Sequence, residues 1–240
     1  MQNDCLLPKS INNIICQLEN KNDVNSEFLI NLIKQEDITI QDLFPFSKFN
    51  HPMIESYGRT KVYESARFSI FVMSWAPTDF TAIHSHGHSE WGAVLFLNNV
   101  NHRLYDYKEN TLTLVQKGIV EKGSIVPVNG SLVHAMGNLT DQPFITLHIY
   151  GTNNSDGLTI QDSVVYELEN KRRTTTNGAA YISLCTSHSK KIEDGIKTDE
   201  ESLIDYLKII LPYYKKNNNA EMIYYIKEVL NNPKIYFEQN

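Results

Sequence analysis

Cysteine is scarce in this chain: Cys5, Cys16 and Cys185 are the three among 240 residues. They stand far apart, without the spacing of a disulfide framework or of a sulfur-based metal site, and read as reduced thiols. Basic charge is also short, with 22 Lys and Arg against 28 Asp and Glu and a formal net charge of −6. That balance argues against a nucleic-acid footprint, which needs clustered Lys and Arg. No run of about eighteen apolar residues occurs, so nothing reads as a membrane span. The opening MQNDCLLPKS lacks the basic and apolar regions of a secretory signal. Eleven glycines and eight prolines are too few for a collagen-like or low-complexity chain. The expectation is a cytoplasmic protein with no nucleic-acid or membrane partner.

What is present is a foldable composition, 41% hydrophobic and 21% charged. The length suits one large domain, or a medium domain with helical additions. Residues 1–45 read as a helical segment. Ile11, Ile14, Ile15 and Leu18 recur at helical spacing behind Ser10, and Phe28, Leu29, Leu32 and Ile33 behind Ser26. Residues 46–186 read as β, with short runs rich in Val, Ile, Phe, Tyr and Thr at 68–75, 92–97, 102–107, 111–116, 144–150, 163–169 and 180–185. Evenly spaced short strands broken by turn residues point to a sandwich or barrel. Residues 187–240 read as a linker at 187–200 and a helical hairpin. Leu203, Leu207, Ile210 and Leu211 mark a first helix that Pro212 should end, and Met222, Ile226, Val229 and Leu230 mark a second.

Six of the eight histidines fall between His84 and His148. Residues two apart on a strand point the same way, so His84 and His86 can offer two imidazoles to one ion. A third donor must come from elsewhere. His134, behind its own turn at Pro127 and Gly130, is the candidate.

The patterns His84-x-His86-x3-Glu90 and Pro127-x2-Gly130-x3-His134-x3-Asn138 resemble the two metal-binding motifs of the cupin superfamily, which are jelly-roll β proteins. Thr78 and Leu97 stand where glycines usually open and close the first motif, and the Pro–Gly spacing of the second is altered. Within that superfamily, Tyr57-Gly-Arg59, the run from Phe68 to Trp75-Ala-Pro77, and Ile83-His-Ser-His86 resemble cysteine dioxygenase. That family has a substrate-binding Arg ahead of its His-x-His, as Arg59 is here, and a Ser-His-Tyr relay on a late strand. Thr146-x-His148-x-Tyr150 matches the relay, with Thr for Ser. The resemblance spans residues 57–150.

The resemblance implies a cupin-type jelly-roll barrel with helical additions at both ends. It further implies an iron(II) ion held by His84, His86 and His134, a small thiol and O2 as substrates, and a sulfinic acid product. Cysteine leads as the substrate, with 3-mercaptopropionate next. Arg59 would hold the substrate carboxylate through its planar fork. Tyr57 would support Arg59 or line the pocket. Tyr150 would hydrogen-bond bound oxygen or the carboxylate, with His148 orienting Tyr150 and Thr146 orienting His148. Without the resemblance, a structural ion pair is a lesser reading of Arg59, and the relay reads first as a self-satisfying polar ladder.

Glu90 has the spacing of the carboxylate ligand in four-ligand cupins, a second enzyme reading with iron, manganese or nickel. Against that, Trp91-Gly92 resembles the Trp-Gly pair of bacterial thiol dioxygenases and makes Glu90 a loop residue. Mammalian cysteine dioxygenases carry a cysteine there, cross-linked to the relay tyrosine. Trp91 or Gly92 occupies that place here, so no cross-link is expected. A non-catalytic metal- or ligand-binding cupin is the third reading. His88 is expected beside the pocket, and His51, His102 and His188 at the surface or in packing. Oligomeric state is left open.

Overall fold

The computed structural model describes residues 7–154, 159–185 and 187–238; Cys5 lies outside them. Helices α1 (Lys9–Glu19) and α2 (Ser26–Gln35) come first, then a single turn α3 (Ile40–Leu43). The strands are β1 (Gly58–Glu64), β2 (Phe68–Trp75), β3 (Ile83–His84), β4 (Trp91–Phe96), β5 (Val100–Lys108), β6 (Thr111–Val120), β7 (Ile125–Pro127), β8 (Val133–Gly137), β9 (Phe144–Gly151), β10 (Ser163–Glu167), β11 (Arg172–Thr176), β12 (Ser189–Asp194) and β13 (Lys197–Thr198). Helices α4 (Glu200–Lys216), α5 (Ala220–Asn231) and α6 (Lys234–Glu238) follow. No helix among the described residues is long and apolar enough to cross a membrane.

Two sheets face each other. One has the order β1-β2-β9-β4-β7, the other β12-β11-β10-β3-β8-β5-β6-β13. The ladders are antiparallel except where β13 joins β6. Many neighbours in space, such as β2–β9, β9–β4, β3–β8 and β10–β3, are not consecutive in sequence, as in a jelly roll. Alternation along each strand sorts the side chains into layers. On the first sheet, Phe71, Met73, Trp75, Val94 and Phe96 face the interior. Phe68, Ile70, Val72 and Leu147 face outward, beneath Ile11, Ile14, Leu18 and Leu29 of the N-terminal helices. On the second sheet, Ile83, Val133, Ala135 and Tyr166 face outward, beneath Leu203, Tyr206, Leu207 and Ile210 of α4. Both faces of the central strands are therefore buried, and β2 is covered along its whole length. Each fully buried large side chain contributes about 1.5–3 kcal/mol against solvent exposure, so the helices are part of the domain's core.

Several local expectations are corrected. Ser10 lies inside α1, whose N-cap is Pro8. Asn25, not Ser26, caps α2, its Oδ1 accepting from the Phe28 N–H at 2.8 Å. Ser26 Oγ instead accepts from the Gly92 N–H at 3.1 Å and ties α2 to β4. Pro212 does not end α4, which continues to Lys216. A proline inside a helix costs about 3 kcal/mol, and burial of Ile209, Ile210, Tyr213 and Tyr214 offsets it. The supposed linker carries β12, paired with β11, so the boundary at 186/187 falls inside a sheet. Residues 180–185 form no strand; isolated bonds such as Ala82 N–H to Ala180 O at 2.9 Å hold them.

His51 is buried in an ion pair, its Nε2 2.8 Å from Asp79 Oδ2. The same oxygen accepts from the Ala76 N–H at 2.8 Å, and Lys216 Nζ donates to Asp79 Oδ1 at 3.2 Å. The β2–β3 connection is thus locked to α4 just ahead of the first histidine motif.

Candidate metal centre

His84 on β3 pairs directly across the ladder with His134 on β8. Their neighbours Ile83, Val133 and Ala135 face the C-terminal helices, so strand alternation turns both imidazoles inward. His86 follows β3 in the next loop. The three rings close a triangle with centroid separations of 5.0, 4.6 and 4.8 Å. One nitrogen from each lies within 4.8 Å of the others, and all three residues are buried. Gly130 lets the loops before His134 and after His86 meet. A Cβ there would lie 2.4 Å from the Gly87 carbonyl oxygen, and the Gly130 N–H donates to Ser89 O at 2.6 Å.

Burial pushes the His84 imidazole down to about 4, and it pushes His86 and His134 well below their ordinary value, aided by the neighbouring histidines. All three are neutral at pH 7 and keep a lone pair. The His84 Nδ1 donates to Ala82 O at 3.0 Å, which leaves its Nε2 bare. The His86 and His134 Nε2 atoms stand 3.2 Å apart. Converging lone pairs at buried positions are what a divalent transition ion neutralises, and imidazole suits iron, manganese, nickel and zinc alike. The donor set therefore fits a metal ion.

Next to the triangle, β9 presents Thr146, His148 and Tyr150 on one inward face. Trp75 Nε1 donates to Thr146 Oγ1 at 2.9 Å, Thr146 Oγ1 lies 2.7 Å from His148 Nε2, and His148 Nδ1 lies 2.6 Å from the Tyr150 hydroxyl. An indole N–H only donates, so Trp75 occupies one lone pair of Oγ1. The Thr146 hydrogen must then go to His148 Nε2, since any other arrangement leaves it without an acceptor at a fully buried position. His148 therefore carries its proton on Nδ1 and donates to Tyr150, whose own hydrogen is left for the interior. Burial brings His148 down to about 3, with His84 and Arg59 adding to it, and pushes the Tyr150 phenol up. The imidazole is neutral and the phenol keeps its proton. The Tyr150 ring centroid is 5.3 Å from that of His86.

Arg59 on β1 pairs with Met73, whose side chain belongs to the interior cluster, so its guanidinium turns inward. It lies over the Phe71 ring, 4.1 Å from the centroid. Its Nε is buried with no hydrogen-bond partner, and no carboxylate pairs with it among the described residues. The structural ion pair that the sequence allowed is not formed. Tyr57 sits at the same end, its ring 5.1 Å from Trp75 and 5.0 Å from Tyr181. Gly58 between them is required by close approach: a Cβ there would meet the Lys48 carbonyl oxygen at 2.0 Å.

Glu90 is not among the converging groups. It is exposed, accepting from the Asn153 N–H at 2.6 Å and from Asn154 Nδ2 at 2.5 Å. Those bonds hold it on the outer rim, which corrects its reading as a fourth ligand. His88 also faces outward, 3.0 Å from Asp162 and lining an open cleft with Gly87, Ser89 and Gly130. His102, expected at the surface or in packing, instead reaches His134, with Nε2 2.7 Å from Nδ1; burial brings it down to about 4. His102, Trp75 and Tyr181 are the site neighbours that sequence reasoning missed. Only the register of β5 on β8 reveals the first, since it has no motif partner in sequence.

Two facing sheets of mostly antiparallel strands, in the crossed order given above, decide the fold. It is a cupin-type jelly roll. No family model matches the chain. The cupin barrel is similar to solved structures at low identity. An uncharacterized conserved protein with a double-stranded β-helix domain from Klebsiella pneumoniae shares 18% identity over 51% of this chain and 98% of that one, with a TM-score of 0.37. A cupin domain from Bordetella pertussis shares 17% over 40% and 93%, with a TM-score of 0.32. A cupin 2 conserved barrel domain protein from Salinispora arenicola shares 15% over 42% and 80%, with a TM-score of 0.31.

Proposed function

We propose that this cupin barrel is an iron(II)-dependent thiol dioxygenase that converts a small thiol carboxylate, cysteine or 3-mercaptopropionate, to its sulfinic acid. The observation that carries this reading is Arg59, an unpaired guanidinium turned into the same interior as the histidine triangle. A cation without a protein counter-ion in that setting calls for an anionic ligand. A planar fork suits a carboxylate.

The reaction balances without another reductant. RSH and O2 give RSO2H: both oxygen atoms enter the product, the sulfur loses four electrons and dioxygen accepts them. An iron(II) ion held by His84, His86 and His134 supplies Lewis acidity toward the thiol and redox chemistry toward dioxygen. The protein's own residues do the rest. Arg59 fixes the carboxylate and so aims the sulfur across the interior toward the triangle. Tyr150, held by His148 and Thr146, offers its phenolic hydrogen to an oxygen of the reacting group. Phe71, Trp75 and Phe96 keep water from the interior.

The test is oxygen uptake by the iron-loaded protein with cysteine, 3-mercaptopropionate, cysteamine and homocysteine, using His86→Ala as control. The expected result is one O2 consumed per sulfinate formed with a carboxylate-bearing thiol, and none with the variant. Silence across the panel at full iron occupancy would overturn the reading.

A further inference from the structure

His102 lies on β5, where Leu104 pairs with His134 and His102 with Met136. Position 102 is thus the diagonal neighbour of 134 on the inward face, within reach of a long side chain. The rings meet at 60° with centroids 4.9 Å apart, and the nitrogens are 2.7 Å apart. Such a bond needs one proton between two nitrogens. A neutral imidazole that gives its Nε2 lone pair to an ion carries its proton on Nδ1. His134 is therefore the donor and His102 the acceptor.

We propose that His102 is a positioning residue of the metal centre: its bare Nε2 accepts the Nδ1 hydrogen of His134 and so turns the His134 Nε2 lone pair onto the ion. The inference rests on the metal centre described above and adds a residue to it. His102 is not itself a ligand, because its nitrogen lies against Nδ1, away from the Nε2 that faces His86. The bond fixes both the tautomer and the ring orientation of His134, the usual task of a group behind a metal-bound histidine. His84 receives the same service from a backbone carbonyl, Ala82 O. An imidazole nitrogen is the more basic acceptor, so His134 is the more strongly donating ligand of the two.

The experiment is a cobalt(II) titration followed by visible absorption, on the wild type, His102→Phe and His102→Gln. Loss of an outer partner typically costs about 10–100-fold in metal affinity. The Phe variant should show that loss, and the Gln variant, which retains an acceptor oxygen, should recover most of it. Long-range 1H–15N spectra of the zinc-loaded wild type should place protons on Nδ1 of both His134 and His102, a readout that needs no variant. A folded Phe variant binding cobalt within threefold of wild type, or a proton found on His102 Nε2, would overturn the assignment while leaving the centre intact. Failure of the wild type to bind cobalt or zinc would instead remove the centre and this role together.

Discussion

Arg59 is half-buried, and a guanidinium nitrogen buried without an acceptor is costly unless something anionic meets it. Arg59 has an aromatic face beneath it and an orphaned Nε, and among the described residues no carboxylate answers it. A charge-assisted hydrogen bond of this kind is worth about 1.5–3 kcal/mol, or roughly 10–100-fold in binding. Arg59→Gln should therefore raise KM for a carboxylate-bearing thiol by that factor and leave the low rate with cysteamine, which has no carboxylate, unchanged. Equal losses with both thiols in steady-state oxygen uptake would contradict an anchoring role. The groups that obey a spacing rule are legible in the sequence alone. The two-residue spacing marks His84 and His86 as a pair, although His86 lies in the loop after β3, and alternation puts Thr146, His148 and Tyr150 on one face of β9. His102 and Trp75 are not legible there, because each acts through a neighbour on another strand. Register across a ladder depends on packing that no single segment encodes.

Among the elements, the turn joining β2 to β3 carries a visible strain. Thr78, standing where the resemblance expects glycine, has φ of 72°, the left-handed region that β-branched residues avoid. It is exposed, and its N–H donates to Asn138 O at 3.0 Å, so the backbone is held there regardless of the side chain. Left-handed backbone costs an ordinary residue about 1–2 kcal/mol, and the extra freedom of an unfolded glycine returns part of that. Thr78→Gly should stabilise the fold by about 0.5–1 kcal/mol, read as a higher urea midpoint at unchanged slope; a lower midpoint would count against the strain. The strands themselves are largely readable as short apolar runs between turn residues. The exceptions have physical causes. Segment 189–194 is polar because it lies at a sheet edge, where one face meets water. Pro212 reads as a helix end because local propensity cannot register the tertiary burial of Tyr213 and Tyr214 around it.

For the whole molecule, the buried histidines set the response to acid. His84 and His102 sit near 4 and His148 near 3, against 6.5 when unfolded, because burial disfavours their charged forms. The unfolded chain then takes up protons that the native chain refuses, so stability falls as pH drops below 6.5 and continues falling toward 4. Each such group costs about 1.4 kcal/mol per pH unit in that window. His51, raised by Asp79, works in the opposite sense, and so does Glu169, which burial pushes up to about 8. The histidines outnumber them. The metal-free protein should lose denaturation midpoint steeply between pH 6.5 and about 5, and the metal-loaded protein less so, since the ion occupies the lone pairs that protons would take. A flat profile for the metal-free form in urea titrations at several pH values would contradict this.

The division of the site between the two sheets has one more consequence. The histidine triangle belongs to the sheet containing β3 and β8, whereas Arg59 and Tyr150 belong to the one containing β1 and β9. A thiol carboxylate gripped at both ends would span the gap like the workpiece in a caliper, sulfur on one jaw and carboxylate on the other. The jaws are backed by helices on their outer faces and cannot open freely. Length would then be the property the barrel measures, and homocysteine, one methylene longer than cysteine, should consume oxygen more slowly than cysteine although it carries the same groups.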